Sequence, residues 1–476
     1  MGKTLVLGML VAMLSLNVEA CAKLPVRQSS ESAGPGNAFS GDPSQNPYNI
    51  LAVEPRTHFD IVIERTRAAI MRGTETAMNH YSTGLPDGAI IVPKNAALSF
   101  NVTNNLRETT TVHWHGLKIP NDQDGPFNVL QPGGKAQFAF TLDEAGTNWY
   151  HPHTRPILPQ LNSGLYAPFI VKEDYDSQYS GDYILTLDDW TLSPRGVIDD
   201  RYGSGHMEVF GNVETVNKKT GADIYPVALK KGEIVKLRFI NASTAQWHTL
   251  SLPGHEFRVT HLDGNPLVEP YVRDSITIFA GQRVDVELKG IYDGGTFYIV
   301  NERDLGMRIP VVYVGAGIEM SSPFVPPESK AFPGIANKPV DFEYVLNTQM
   351  AWGGNRRGPG MMGGGMPMEW TINGLAFPDV APTHLRVGEV YKLRFINLDR
   401  MMMSIPHPFH IHGGHFQILS IDGTPAPREM WLDTVEVYPG EYVDIAIKFD
   451  YPGTWMMHCH VIDHEDNGML TMLMAE

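Results

Sequence analysis

The sequence predicts an all-β protein made of three consecutive Greek-key β-sandwich domains, and three observations carry that prediction. Glycine and proline, 46 and 35 of 476 residues, are spread along the whole chain. Between them lie short runs rich in Val, Ile, Thr and Phe, the punctuation of strands and turns rather than of helices. Stretches such as Phe59 to Glu64 and Val284 to Leu288 alternate in the two-residue period of a strand, with turn signals about every ten residues. The third observation is an internal repeat. Lys236-Leu237-Arg238-Phe239-Ile240-Asn241 recurs as Lys392-Leu393-Arg394-Phe395-Ile396-Asn397. Downstream of each copy comes a matching turn, Leu262-Asp263-Gly264-Asn265-Pro266 or Ile421-Asp422-Gly423-Thr424-Pro425, and then a Gly-x-x-Val-Asp strand start at Gly281 or Gly440. The end of the unit appears three times: Ala145-Gly146-Thr147-Asn148-Trp149-Tyr150-His151, Gly294-Gly295-Thr296-Phe297-Tyr298, and Pro452-Gly453-Thr454-Trp455-Met456-Met457-His458.

The repeat places domains over residues 48–175, 176–320 and 335–476. The first and third copies end in histidine motifs, whereas the second continues Thr296-Phe297-Tyr298-Ile299-Val300-Asn301. The middle domain is therefore expected to be metal-free, with a shared site where the first and third domains meet.

At 476 residues, 42% hydrophobic and 19% charged, the chain is long enough for three buried cores and reads as soluble and globular. A net charge of -16 argues against a nucleic-acid partner and otherwise reads as a solubility feature. Residues 1–22 read as an export signal: Lys3, an apolar run from Leu5 to Leu16 too short to span a bilayer, then Val18-Glu19-Ala20-Cys21-Ala22. Ala20-x-Ala22 suits ordinary cleavage, while Val18-x-Ala20-Cys21 resembles a bacterial lipobox in which Glu19 is a poor match. A soluble periplasmic protein and one lipid-anchored through Cys21 both stay open, and membrane contact is expected only if Cys21 is lipid-modified. Residues 23–47, rich in Ser, Gly and Pro, read as a flexible linker. No twin-Arg pair lies near the start, so export unfolded with metallation outside the cytoplasm is expected. The only cysteines are Cys21 and Cys459, so no disulfide framework exists and the lone internal thiol needs a reason.

The histidines supply that reason. Ten of the 18 fall into four groups: His113-Trp114-His115, His151-Pro152-His153, His407-Pro408-Phe409-His410-Ile411-His412, and His458-Cys459-His460 with His464. A His-x-His pair on a strand puts both imidazoles on one face, and neutral imidazole is a ligand for copper, zinc and iron. A lone pair of this kind is weak evidence of metal; four groups at the ends of equivalent strands are strong evidence. The pattern His458-Cys459-His460-x-x-x-His464-x-x-x-x-Met469 then selects the metal. A thiolate, two imidazoles and a weak thioether form the blue-copper electron-transfer set, here His407, Cys459, His464 and axial Met469, and zinc would not use Met. Cys459 points to one side of its strand and His458 and His460 to the other, so electrons can pass through the Cys459 backbone to both neighbours.

From about residue 48 to the C-terminus, these four groups resemble the four copper-binding motifs of multicopper oxidases, the family of laccases, ascorbate oxidase and bacterial cuprous oxidases. The resemblance implies three cupredoxin-like domains and four copper ions, one type 1, one type 2 and two type 3. It implies one-electron oxidation of a donor coupled to four-electron reduction of dioxygen to water. Carried over by position, His113 and His410 resemble ligands of the type 2 copper, and His115, His151, His153, His412, His458 and His460 those of the type 3 pair. The trinuclear site would lie between domains 1 and 3. Asp124 and Glu465 match acidic positions that relay protons in the family, although an ordinary loop carboxylate is more often only solvated. His58, His80, His206, His248, His255, His261, His384 and His415 lack paired spacing and read as structural or surface residues.

The donor is less legible. Of 22 methionines, Met350, Met361, Met362, Met366, Met368 and Met401 to Met403 cluster ahead of His407, and soft thioethers suit cuprous ion. Gly353 to Pro367 has no apolar periodicity, and it resembles the Met-rich insertions of bacterial cuprous oxidases. Asp399 and Met403 are candidate Cu(I) ligands, but extra residues before His407 prevent a residue-by-residue match. Met456 and Met457 read as core packing. Three readings follow: a cuprous oxidase for copper tolerance, a laccase-like oxidase of phenolic donors, and a copper-sequestering protein without turnover. An axial Met favours a modest potential and counts slightly against difficult phenols.

Overall fold

The structure, a computed structural model, describes residues 42–199, 210–302, 306–350, 368–399 and 405–476. The repeated hexapeptide forms the central strand of its domain in both copies. Ile234–Asn241 pairs antiparallel with Arg283–Lys289 and parallel with Asp182–Trp190. Val390–Asn397 pairs in the same senses with Tyr442–Lys448 and Phe342–Met350. The first domain repeats the arrangement without the hexapeptide, with Ala97–Asn104 between Lys135–Thr141 and His58–Ala68. In register, Arg238 faces Asp285 and Arg394 faces Asp444, and both pairs are ion pairs. The turns after each copy are built alike. Asp263 and Gly264 have φ of 45° and 74°, Asp422 and Gly423 48° and 76°, the pair of positive angles a tight hairpin requires.

Each domain sets a second sheet beside the first. In the first it joins Ile90–Pro93, Ala167–Lys172 and Gly146–Tyr150; in the second, five strands from Val227–Lys231 to Ser275–Ile278. In the third the order is Thr383–Leu385, Leu470–Ala475, Gly453–Cys459, His407–Ile411, Thr434–Val437. Each domain has its own apolar core, for instance Phe59, Ile61, Ile63 and Phe100 in the first. This is the predicted triple cupredoxin-like β-sandwich. A further apolar cluster joins Trp149 and Ile170 to Ile184, Trp190 and Ile240 and to Ile462, so all three domains share one buried seam.

The expected alternation holds on His58–Ala68, where Phe59, Ile61 and Ile63 are buried. On Arg283–Lys289 both faces are buried, because the polar positions Asp285 and Glu287 meet Arg238, Lys236 and Arg258 instead of water. The last residues of the expected linker are bound rather than free: Asn46 is buried and donates from Nδ2 to the Pro226 carbonyl at 2.8 Å. The expected export segment, Cys21 and residues up to 41 lie outside the described residues, as do His206, Met361, Met362, Met366 and Met401 to Met403. Among the described residues, no helix is long and apolar enough to cross a membrane.

Candidate metal centres

The strand pair Phe409↔Cys459 fixes the first centre, because it sets the ends of His407–Ile411 and Gly453–Cys459 side by side. The chain then turns into the short helix Ile462–Asp466 and brings His464 back over Cys459. Cys459 Sγ lies 3.7 Å from His407 Nδ1 and 3.5 Å from His464 Nδ1, and the two nitrogens are 3.2 Å apart. All three side chains are fully buried, so burial holds the His464 imidazole well below its usual pKa and neutral. Met469 is fully buried in the same core; its N–H donates to the His464 carbonyl and its carbonyl accepts from the Cys459 N–H. Trp370 covers the centre, its ring stacked on His464 at 3.4 Å between centroids and 20° between planes.

The other eight histidines form one cavity between the first and third domains. His115, His151 and His460 converge, as do His153, His412 and His458, and as does His113 with His115 and His410, with ligand atoms in each group within 4.8 Å of one another. Most of these rings are anchored by one nitrogen and leave the other facing inward. Nδ1 of His151 reaches the Pro152 carbonyl at 3.0 Å, Nδ1 of His410 the Asp433 carbonyl at 2.8 Å, and Nδ1 of His458 the Cys459 carbonyl at 3.0 Å. His115 is anchored the other way, Nε2 to Asp433 Oδ1 at 3.2 Å, which leaves Nδ1 facing His151 Nε2 at 3.4 Å. Burial, and then the neighbouring imidazoles, push His115, His151, His153, His412 and His460 well below the usual range and His410 to about 4. Neutral rings with buried, inward nitrogens and no hydrogen-bond partner, such as Nε2 of His153, His410 and His460, are what metal coordination requires. The donor sets fit copper: nitrogen alone at one centre, nitrogen with a cysteine sulfur at the other.

The two carboxylates singled out in the sequence both face this cavity. Asp124, in the short helix Asn121–Asp124, lies 2.9 Å from His412 Nδ1 and 3.3 Å from His113 Nδ1. Glu465 lies 2.9 Å from His458 Nδ1 and 3.5 Å from His153 Nδ1, one residue from His464. Both are 2% exposed or less, so neither is an ordinary solvated loop carboxylate.

Sequence reasoning missed Asp433 and Arg283. Buried Asp433 accepts from His115 and from both terminal nitrogens of Arg283, and Arg283 holds its carboxyl well below the usual range against the effect of burial. A signal existed: the repeat extends upstream as Asp274-Ser275-Ile276-Thr277-Ile278 and Asp433-Thr434-Val435-Glu436-Val437. In the middle copy Asp274 is exposed, so the match alone would not have shown what Asp433 touches. His415, read as structural, donates to the Gly116 carbonyl and pairs with Glu144 at 3.2 Å, at the edge of a groove of about 540 Å³ where the domains meet.

Sequence models described as multicopper oxidase match residues 62–176, 181–312 and 355–476. The chain is 30% identical over 441 residues to the multicopper oxidase MmcO of Mycobacterium tuberculosis, spanning 83% of this chain and 82% of that protein. It is 28% identical to Laccase-1 of Pleurotus ostreatus, over 86% of each. The crystal structure of a multi-copper oxidase from Pediococcus acidilactici superposes with a TM-score of 0.75 at 27% identity, covering 88% of this chain and 87% of that one.

Proposed function

We propose, on the premise that this chain belongs to the multicopper oxidase family, that it draws electrons from cuprous ion at the His407–Cys459–His464 centre. The enzyme is a copper-dependent oxidoreductase with dioxygen as its acceptor. We assign one type 1 copper to His407, Cys459, His464 and Met469, the type 2 copper to His113 and His410, and the type 3 pair to the remaining six histidines. When bound, copper supplies the one-electron steps and the reduction of dioxygen to water. The protein's own contribution is connection and protons. Cys459 lies between His458 and His460 in sequence, so a three-residue stretch of backbone links the two centres. Asp124 and Glu465, each 2.9 Å from a ring nitrogen of the ligand shell, are the acidic groups placed to pass protons to the site. We place the protein outside the cytoplasm, in the periplasm, from its N-terminal sequence.

One observation favours cuprous ion. The Met-rich segment leaves and re-enters the third domain at the paired residues Met350↔Met368, and Trp370, two residues on, lies over His464. The strand that follows the soft thioethers in sequence thus carries the ring stacked on the electron-entry ligand. Oxidation of phenolic donors is the competing reading, favoured by the laccases among the relatives.

The deciding measurement is dioxygen consumption by the copper-loaded protein with Cu(I) and with a phenol, on wild type and on a variant lacking Gly353 to Pro367. The expected result is a fall of about tenfold or more in cuprous turnover, about 1.4 kcal/mol, with phenol turnover equal or higher. Equal loss of both activities, or of neither, removes the case for cuprous ion.

A further inference from the structure

The middle domain supplies none of the ten clustered histidines, yet the turn from Phe279 to Arg283 sets Gly281 against His460 of that cavity. Gly281 stands at φ +87°, and a Cβ there would lie 2.8 Å from Cγ and Cδ2 of His460. The Gly281 backbone is therefore packed against that imidazole. Its counterpart in the third domain, Gly440, has φ +86° but meets nothing within 4 Å, so the turn alone does not account for the crowding at Gly281.

His460 needs such a wall more than its neighbours do. Six of the other rings have a nitrogen hydrogen-bonded to a carbonyl or carboxylate and His153 has Glu465 at 3.5 Å, whereas neither ring nitrogen of His460 hydrogen-bonds to another residue. Its ring is packed with Gly281 against it and Trp149 at 5.4 Å between centroids.

Two residues on, Arg283 extends the same wall. Its Nη1 is 2.8 Å from Asp433 Oδ1 and its Nη2 2.5 Å from Oδ2. It also donates to the carbonyls of Gly281 and Thr147 at 3.1 Å each. Asp433 in turn holds His115 through Oδ1 and His410 through its carbonyl. Asp263, also from the middle domain, accepts from the N–H groups of Arg283, Asp433 and Thr434 at 2.9, 3.3 and 3.1 Å. One buried lattice thus runs from the middle domain to ligands on both flanking domains.

We propose that Gly281 and Arg283 are positioning residues of the trinuclear site, Gly281 setting the ring of His460 and Arg283, through Asp433, the rings of His115 and His410. The inference rests on the four-copper assignment above. It gives the middle domain a task beyond spacing its neighbours: it keys the ligand sets of the first and third domains to each other.

The test is copper loading of Gly281→Ala, Arg283→Met and Arg283→Lys, with copper per chain, near-ultraviolet type 3 absorption, the type 2 electron paramagnetic resonance signal and the blue type 1 band as readouts. The thermal midpoint of the copper-free protein reports the fold. Gly281→Ala and Arg283→Met should retain trinuclear copper about 10–100-fold less well, as expected for lost outer-shell support, while the blue band persists. Arg283→Lys should recover part of the loss, since it restores charge without the fork. Unchanged trinuclear signals in both Gly281→Ala and Arg283→Met overturn the proposal. So does parallel loss of the blue band, the trinuclear signals and copper-free stability, which marks a general structural role. A wild type that takes up no trinuclear copper sinks the four-copper assignment and this inference with it.

Discussion

Replacing Cys459 with serine should abolish the blue type 1 band and cut donor-driven dioxygen consumption by at least about 10³-fold, about 4 kcal/mol of barrier. Serine fills nearly the same volume in a site with no exposure, so the fold should change little. What is lost is the soft thiolate that stands 3.5 and 3.7 Å from the two imidazole nitrogens and selects copper there. The flanking His458 and His460 keep their backbone, and Glu465 still faces His458 at 2.9 Å, so type 2 and type 3 signatures should survive. The measurement is paired: absorption and paramagnetic resonance on the loaded variant, then turnover with Cu(I) and with a phenol. A variant that keeps more than about a tenth of either turnover would show a second electron entry and overturn the assignment of Cys459.

The ligands were legible in the sequence because strand geometry writes them as local patterns. His-x-His puts two rings on one face, and His458-Cys459-His460 sends the thiol to one centre and the imidazoles to the other, as the structure places them. The repeat likewise exposed the central strands Ile234–Asn241 and Val390–Asn397, since the same residues must pair in the same senses in both copies. The supporting wall had no such pattern. Asp433, Arg283, Gly281 and Trp370 are single positions whose meaning comes from partners far along the chain, on other elements. Arg283 stands within the repeated Gly-x-x-Val-Asp motif, but the third domain carries Tyr442 at that place, and nothing in one sequence says that the arginine reaches across a domain seam. Arg283–Lys289 failed to show its burial for a related reason. Its charged positions are paired inside the protein, and pairing leaves no trace in polarity.

The largest remaining effect is expected from removing both cavity carboxylates together. In Asp124→Asn or Glu465→Gln the amide keeps one acceptor and turns the other into a donor that cannot accept from Nδ1–H. Each carboxylate lies beside two rings, His113 and His412 for Asp124, His153 and His458 for Glu465; Nδ1 of His113 and of His458 also reaches a backbone carbonyl, so each single variant chiefly loosens one ring, His412 or His153. Loss of such support costs about 10–100-fold in metal affinity or activity. Because the two pairs of rings do not overlap, the costs should multiply, and the double variant should fall by about 10²–10⁴-fold. Rapid-mixing kinetics separate the causes. If copper is retained, the type 1 centre should be reduced at the normal rate and reoxidised slowly, because the deficit lies in protons delivered to the dioxygen-reducing site. If copper is lost instead, the carboxylates act chiefly by orienting the rings and raising their basicity. A double variant within about threefold of wild type in turnover and copper content would exclude both roles.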